Sequence, residues 1–217
     1  MDLVWISLLS RARSGSHSLL QPSIGEEGSA GWQQGEAVPK TIVLCDLSEP
    51  PAELPPFPVE FAEVEELDLS GNGLESLPPL AVLQKLKRLY LGGSLANNSA
   101  MKPNVLVSLP HDISALPVLE DLSVHDTQLE ELPYMPESLR SLRMDRCPLV
   151  SLPDRLPAGL TTLHMQGCPL PGTYEQPESL PPCVRDLLLL EDLQLPDGTH
   201  MGIFFGTPLA EALQVVT

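Results

Sequence analysis

Leucines recur along the middle of the chain at a fixed spacing, with polar residues between them. The pattern is clearest from Leu119 to Pro133, LEDLSVHDTQLEELP, and from Leu139 to Pro153, LRSLRMDRCPLVSLP. Apolar and polar positions alternate near the start of each segment, which predicts a short strand with leucines on one face and polar side chains on the other. One such strand cannot bury its leucines alone. The pattern therefore predicts a stack of units whose strands pair in a parallel sheet.

Six units follow this frame, and two of them are irregular. The second unit has a ten-residue insert, Gly92 to Met101, between Leu91 and Asn104. The last unit is assigned to Val184, Leu187, Leu189 and Asp192, after which the sequence drifts from the frame. The units begin at Val64, Leu86, Leu119, Leu139, Leu160 and Val184.

The shared frame, LxxLxLxxN/CxL, resembles the leucine-rich-repeat family. The resemblance implies an α/β-type leucine-rich-repeat solenoid. A short curved parallel β-sheet forms its concave face, and mostly extended or 3₁₀ segments form its convex face. The units of 20 and 21 residues with paired prolines, such as LPYMPESLRSLRM, are similar to the repeats of bacterial type III secreted effectors. The unit at Val64 is more similar to repeats of intracellular eukaryotic scaffolds.

The position three residues after each strand needs a side chain that bonds to the backbone, because the tight bend leaves polar groups buried. The family tolerates Asn, Thr or Cys there. We therefore expect Cys147 and Cys168 to be buried structural residues rather than a metal-binding or redox pair. These ladder positions are Asn72, Asn104, Thr127, Cys147, Cys168 and Asp192.

The pattern divides the chain into four parts. Residues 1–40 are predicted to be a disordered leader, since residues 10–40 are rich in Ser, Gly and Gln without a hydrophobic period. Residues 41–63 are predicted to form a capping strand and a proline-rich segment. Residues 64–195 form the repeat domain of about six units, and residues 196–217 form a C-terminal cap.

Composition narrows the class of partner. The formal net charge of −17 argues against nucleic acid and anionic membranes as ligands, and it favours a partner protein with a basic surface. The four dispersed cysteines argue for a reducing compartment. We therefore expect a cytoplasmic monomer without cofactor or metal, and secretion remains an open alternative. No apolar run is long enough to span a membrane.

The outward positions of successive strands form columns across the concave face. The centre column contains Asp68, Tyr90, Ser123, Arg143, His164 and Leu188, and the column beside it contains Ser70, Gly92, His125, Asp145, Gln166 and Leu190. Tyr, His, Arg and Asp together are typical of protein recognition, whereas the alternative is a solvated face that binds nothing. The predicted protein-binding residues are Asp68, Tyr90, Ser123, His125, Arg143, Asp145, His164 and Gln166.

Catalysis is not expected on this face. Ser123 and His125 are two residues apart on one strand and are expected to project in parallel, a poor geometry for proton abstraction. His125 and His164 lie two strands apart, about 10 Å, too far to share a metal ion. The sequence therefore predicts a non-enzymatic scaffold or adaptor that binds a protein. The alternatives are a secreted effector acting on host signalling, or a regulatory subunit of a phosphatase or ubiquitin ligase.

Overall fold

A single open sheet with strands in sequence order runs through the described part of the chain. Strands β1 to β7 pair in parallel, and β8 pairs antiparallel with β7. The strands are β1 (Thr41–Val43), β2 (Glu66–Asp68), β3 (Arg88–Tyr90), β4 (Asp121–Ser123), β5 (Ser141–Arg143), β6 (Thr162–His164), β7 (Asp192–Gln194) and β8 (His200–Gly202). The computed structural model describes residues 3–10, 37–47, 50–51, 53–93, 102–171, 180–198 and 200–202.

The core is a row of aliphatic side chains, one from the middle of each parallel strand. Register places Leu122 opposite Leu142, and Leu142 opposite Leu163. The row consists of Ile42, Leu67, Leu89, Leu122, Leu142, Leu163 and Leu193, all of them 0% exposed. The predicted solenoid with a parallel sheet is confirmed. Each strand buries its leucine only because a neighbouring strand lies on either side.

The ladder positions behave as predicted in the first five units. The Asn104 side-chain amide donates to the carbonyl oxygens of Leu69 and Leu91 at 2.9 and 2.7 Å. The Cys147 thiol donates to the Val124 carbonyl at 3.1 Å. The buried ladder residues are Asn72, Asn104, Thr127, Cys147 and Cys168. The insert therefore leaves Asn104 in its expected place, and residues 94–101 of the insert lie outside the described residues.

The return legs between strands are short, as the unit lengths predict. Two are 3₁₀ helices, η1 (Val59–Glu63) and η2 (His111–Ala115). From Gln128 to Ser138 and from Pro148 to Thr161 the chain forms only turns and extended segments. The convex face is thus mostly extended or 3₁₀, which confirms the prediction. A single turn of α-helix, α2 (Pro182–Arg185), is the exception.

The predicted register of the last unit is wrong. The strand is Asp192–Gln194, so Leu190, Leu193 and Leu195 supply its buried leucines. Val184 instead belongs to α2, and Leu188 is 66% exposed in the turn before the strand. Leu188 and Leu190 are therefore not outward strand positions, and Asp192 is not a ladder residue.

The N-terminal residues correct the prediction of a disordered leader. Leu3–Leu9 forms helix α1, with Trp5 and Leu9 0% exposed. The Trp5 indole stacks on Phe57 and packs against Phe61, at ring-centroid distances of 5.1 and 4.8 Å. Its N–H donates to the Pro56 carbonyl at 3.0 Å. The helix buries apolar surface against the segment before β2, and residues 11–36 lie outside the described residues.

The other end of the sheet is closed by a change of strand direction. Strand β8 runs antiparallel to β7, with Leu193 opposite Met201. Within the described residues, the series of parallel strands therefore ends at β7. Residues 203–217, which contain the rest of the predicted cap, lie outside the described residues. The domain boundaries proposed from sequence remain predictions.

Candidate protein-binding face

The concave face is built from residues that alternate with the buried leucines. Register pairs Asp68 with Tyr90, Tyr90 with Ser123, and Ser123 with Arg143, so the centre column forms as expected. With the corrected register, the centre column is Asp68, Tyr90, Ser123, Arg143, His164 and Gln194. A further column at the start of each strand is Glu66, Arg88, Asp121, Ser141, Thr162 and Asp192.

Exposure divides the predicted residues into two groups. Asp68 is 2% exposed and Ser123 is 4% exposed, so neither offers much surface to a partner. Gln166 is exposed, and the others are half-buried: Tyr90, His125, Arg143, Asp145 and His164. The accessible surface therefore lies over β3, β5 and β6 more than over β2.

Charged side chains on the face pair across neighbouring strands. Arg88 binds Glu66 at 2.6 Å and Arg143 binds Asp121 at 3.3 Å. In each pair, the carboxylate belongs to the first residue of the strand that precedes the arginine's strand. The residues Glu66, Arg88 and Asp121 were not among the predicted ones. The same two-residue alternation that selects Asp68 would have found them, since each lies two positions earlier on its strand.

Tyr90 is the aromatic residue at the centre of this network. Its hydroxyl lies 3.5 Å from the Asp121 carboxylate. Burial, followed by the negative charge of Asp121, raises the pKa of Tyr90 to about 12. Tyr90 therefore keeps its proton near neutral pH and offers a neutral ring and hydroxyl. Half-buried tyrosines of this kind are enriched at interfaces because they combine apolar area with a polar end.

His164 is held in place by the last parallel strand. Its Nε2 lies 2.8 Å from the Asp192 carboxylate, and its side chain is only 13% exposed. The Gln166 backbone N–H donates to the Asp145 carboxylate at 2.8 Å, which joins β5 to β6 just beyond the strands. The C-terminal half of the face is thus fixed by hydrogen bonds between units.

Ser123 and His125 are in contact, contrary to the sequence expectation. The Ser123 hydroxyl and His125 Nδ1 are 2.8 Å apart. Strand β4 ends at Ser123, and Asp126 has a positive φ of 59°. The chain therefore turns after the strand, and the parallel projection assumed for two strand residues does not hold. Ser123 is 4% exposed, so its hydroxyl is largely shielded from solvent.

The His125 ring lies directly over the backbone of Gly92. A β-carbon at Gly92 would overlap the imidazole and would lie 2.7 Å from the His125 carbonyl oxygen. Only glycine permits this close approach. Burial lowers the pKa of His125, and the positive charge of Arg146 lowers it further, whereas Asp126 raises it. The ring is therefore neutral at physiological pH.

Stability is expected to depend on pH through His125. The pKa of His125 is lowered in the folded chain, so the unfolded chain binds the proton first as pH falls below about 6.5. The stability that the neutral His125 ring contributes is fully present above that pH. It declines as the pH falls toward the pKa that His125 has in the folded chain. We expect the free energy of unfolding, measured with urea, to be lower at pH 5.5 than at pH 7.5 in the native chain. This difference is expected to be smaller in His125→Gln. An equal fall in both would contradict the assignment.

Two kinds of site are missing from the described residues. They contain no group of three or more His, Cys, Asp or Glu side chains arranged to hold a metal ion. No helix among them has the length and apolar character needed to cross a membrane. The buried ladder thiols are also poor nucleophiles, since burial raises the pKa of Cys168 to about 12 and raises that of Cys147.

Comparison with known proteins agrees with this geometry. The model of the Leucine Rich Repeat family matches residues 63–84, which contain β2, its ladder asparagine and the following return leg. The same arrangement recurs in the later units in register. The described residues have the fold of a leucine-rich-repeat solenoid. No curated protein matches this leucine-rich-repeat chain in sequence.

A solved structure of similar fold is YopM, a leucine-rich effector protein from Yersinia pestis. The two chains are 22% identical, with a TM-score of 0.43. The match covers 68% of this leucine-rich-repeat chain and 41% of the YopM chain, so this protein spans less than half of that structure's length. The fold assignment rests on the repeat geometry, and the family model supports it over residues 63–84.

Proposed function

We propose that this leucine-rich-repeat protein is a non-enzymatic scaffold or adaptor that binds a partner protein on its concave face. The observation that carries the proposal is the centre column, in which Tyr90, Arg143 and Gln194 are partly exposed and aligned strand by strand. Such a surface combines an aromatic ring, a guanidinium and an amide within a rigid sheet. Rigid polar and aromatic groups of this kind lose little entropy on binding.

The charge of the chain supports a partner with a basic surface. The formal net charge is −17, and Asp121, Asp145 and Asp192 lie half-buried on the face itself. Carboxylates that already pair with an arginine or histidine can still attract an approaching cation. We expect the association rate to fall as salt increases, because long-range attraction is screened.

The test removes accessible groups without disturbing the sheet. Arg143→Ala combined with Gln166→Ala removes side chains that are partly exposed. His164 is left intact, because a carboxylate placed there would face Asp192. We expect partner affinity to fall by about tenfold or more. The loss of this one partly exposed ion pair should change the free energy of unfolding by about 1 kcal/mol.

A matched control removes an arginine elsewhere. Arg155 is 77% exposed and pairs with Glu137 on a return leg. Partners would be measured by quantitative affinity purification with the native chain, the double variant and Arg155→Ala. Proteins retained by the native chain and the control but lost by the double variant support the proposal. If every retained protein survives the double change, the concave face is not the binding surface.

A second hypothesis, a secreted effector acting on host signalling, rests on the short return legs. From Gln128 to Ser138 and from Pro148 to Thr161 these legs have no helix, which agrees with the short units predicted from sequence. An export assay with the first 40 residues fused to a reporter would distinguish the two hypotheses. The regulatory-subunit alternative would need an enzyme to co-purify with the native chain.

A further inference from the structure

A groove crosses the return legs of three consecutive units, away from the concave face. It has a volume of about 420 Å³ and is open to solvent along its length. Its apolar wall consists of Leu109, Leu132, Pro133, Tyr134, Leu152 and Pro153, which we call the proline groove. These residues come from the Leu-Pro pair that closes each repeat, so the groove follows directly from the repeat pattern.

A second depression continues the proline groove toward the C-terminus. It measures about 250 Å³ and shares Leu152, Pro153 and Asp154 with the first. Leu170 and Pro171 extend its apolar wall into the next unit. The two depressions adjoin at these shared residues, and their linings together span the return legs of four units. Strands of neighbouring units are about 4.8 Å apart. A surface over three intervals would therefore hold about five residues of extended chain at 3.1 Å per residue.

Two of the exposed large apolar side chains of the described residues lie along this surface. Tyr134 is 66% exposed, and Val150, which lines the second depression, is 59% exposed. Large apolar side chains exposed together along a groove are a common sign of an interaction site. An aromatic ring beside prolines is also the surface on which polyproline-type peptides dock.

The acidic side chains Glu131 and Asp154 line the proline groove. The described lining residues include no lysine or arginine. The cation next to Asp154 in sequence, Arg155, is paired with Glu137. The groove is therefore complementary to a segment that carries both apolar side chains and positive charge.

We propose that the proline groove is a second docking site, which takes an extended segment of proline and leucine flanked by lysine or arginine. The apolar side chains of the segment lie on Leu132, Tyr134 and Leu152, and the flanking cations lie beside Glu131 and Asp154. This site is separate from the concave face. A leucine-rich-repeat chain with both surfaces can hold two partners at once.

The test uses the full chain and fluorescence anisotropy with the labelled peptide RRPPLPPRR. Two comparison peptides separate the contributions: EEPPLPPEE reverses the charge, and RRGSGSGRR keeps the charge without the apolar centre. We expect RRPPLPPRR to bind at least about tenfold more tightly than either comparison peptide. Equal binding of RRGSGSGRR would show attraction by charge alone and would overturn the proposal.

Variants locate the site on the chain. Tyr134→Ser removes an exposed ring, and Glu131→Lys with Asp154→Lys reverses the charge of the groove. Each is expected to weaken binding of RRPPLPPRR by about tenfold, with the circular dichroism spectrum unchanged. Glu75→Lys with Glu191→Lys makes the same change in net charge at exposed residues outside the groove. Affinity within about threefold of native is expected for this control. If the control weakens binding as much as the groove variants, the docking site is not the proline groove.

Discussion

Asn104→Ala is expected to lower the free energy of unfolding by about 4 kcal/mol, although Asn104 contacts no ligand and is 0% exposed. Its amide donates to the carbonyls of Leu69 and Leu91, and its side-chain oxygen accepts from the backbone N–H groups of Asn72 and Leu74. Four backbone groups therefore lose a hydrogen bond in the variant, and of these the Leu69 carbonyl keeps a second bond, from the Asn72 side-chain amide. Each buried polar group left unsatisfied costs about 1–3 kcal/mol.

The matched control is another ladder residue with fewer bonds. Thr127 donates to the Val124 carbonyl at 2.8 Å and lies 3.3 Å from the Cys147 sulfur. Thr127→Val keeps the shape of the side chain and removes the hydroxyl, so a loss of about 1–2 kcal/mol is expected. Urea unfolding at 25 °C measures both. If the two variants lose the same free energy, the number of backbone bonds is not what makes Asn104 important.

The ladder shows what the sequence predicts well. The frame fixes which side chain follows each strand, and a tight bend with buried backbone groups dictates what that side chain must do. Asn104 could be assigned even across the insert, because the leucines on either side of the insert restore the frame. The first five units and the centre column from Asp68 to His164 follow from the same local rule.

In the last unit, the sequence fits the repeat frame in two different registers. Val184, Leu187 and Leu189 fit the frame LxxLxL, and so do Leu190, Leu193 and Leu195. Which register forms depends on packing between units, and the leucine pattern does not specify that packing. Val184 is buried on α2, and Glu191 and Asp192 donate their N–H groups to the Thr161 carbonyl. Those bonds between units fix the strand at Asp192–Gln194, and Gln194 rather than Leu188 joins the binding face.

Two other features depend on contacts distant in sequence. Helix α1 is short and apolar, and its tryptophan packs on Phe57 and Phe61, about fifty residues later in the chain. The Ser123–His125 contact needs a turn at Asp126, whose carboxylate binds Arg146 of the next unit at 2.5 Å. Periodicity describes each unit separately, so it cannot predict contacts that exist only between units.

The largest effect is expected from Leu142→Asp, which should abolish cooperative folding of the repeat domain. Leu142 is 0% exposed at the middle of β5, between Leu122 and Leu163 in register. Removing a buried leucine costs about 2–5 kcal/mol, and burying an unpaired carboxylate adds several more. The sum is comparable with the whole stability of a domain of this size. A defect in the middle of a solenoid also separates the units on its two sides.

Val107→Asp is the control, because it introduces the same carboxylate at a residue that is 55% exposed. A change within about 0.5 kcal/mol of native is expected there. Circular dichroism followed during heating measures both variants: a sigmoidal transition is expected for Val107→Asp and a featureless slope for Leu142→Asp. A sharp transition near the native melting temperature in Leu142→Asp would mean that the continuous leucine row does not hold the units together. The repeat would then owe its stability to the ladder bonds instead, and Asn104→Ala would be the more damaging substitution.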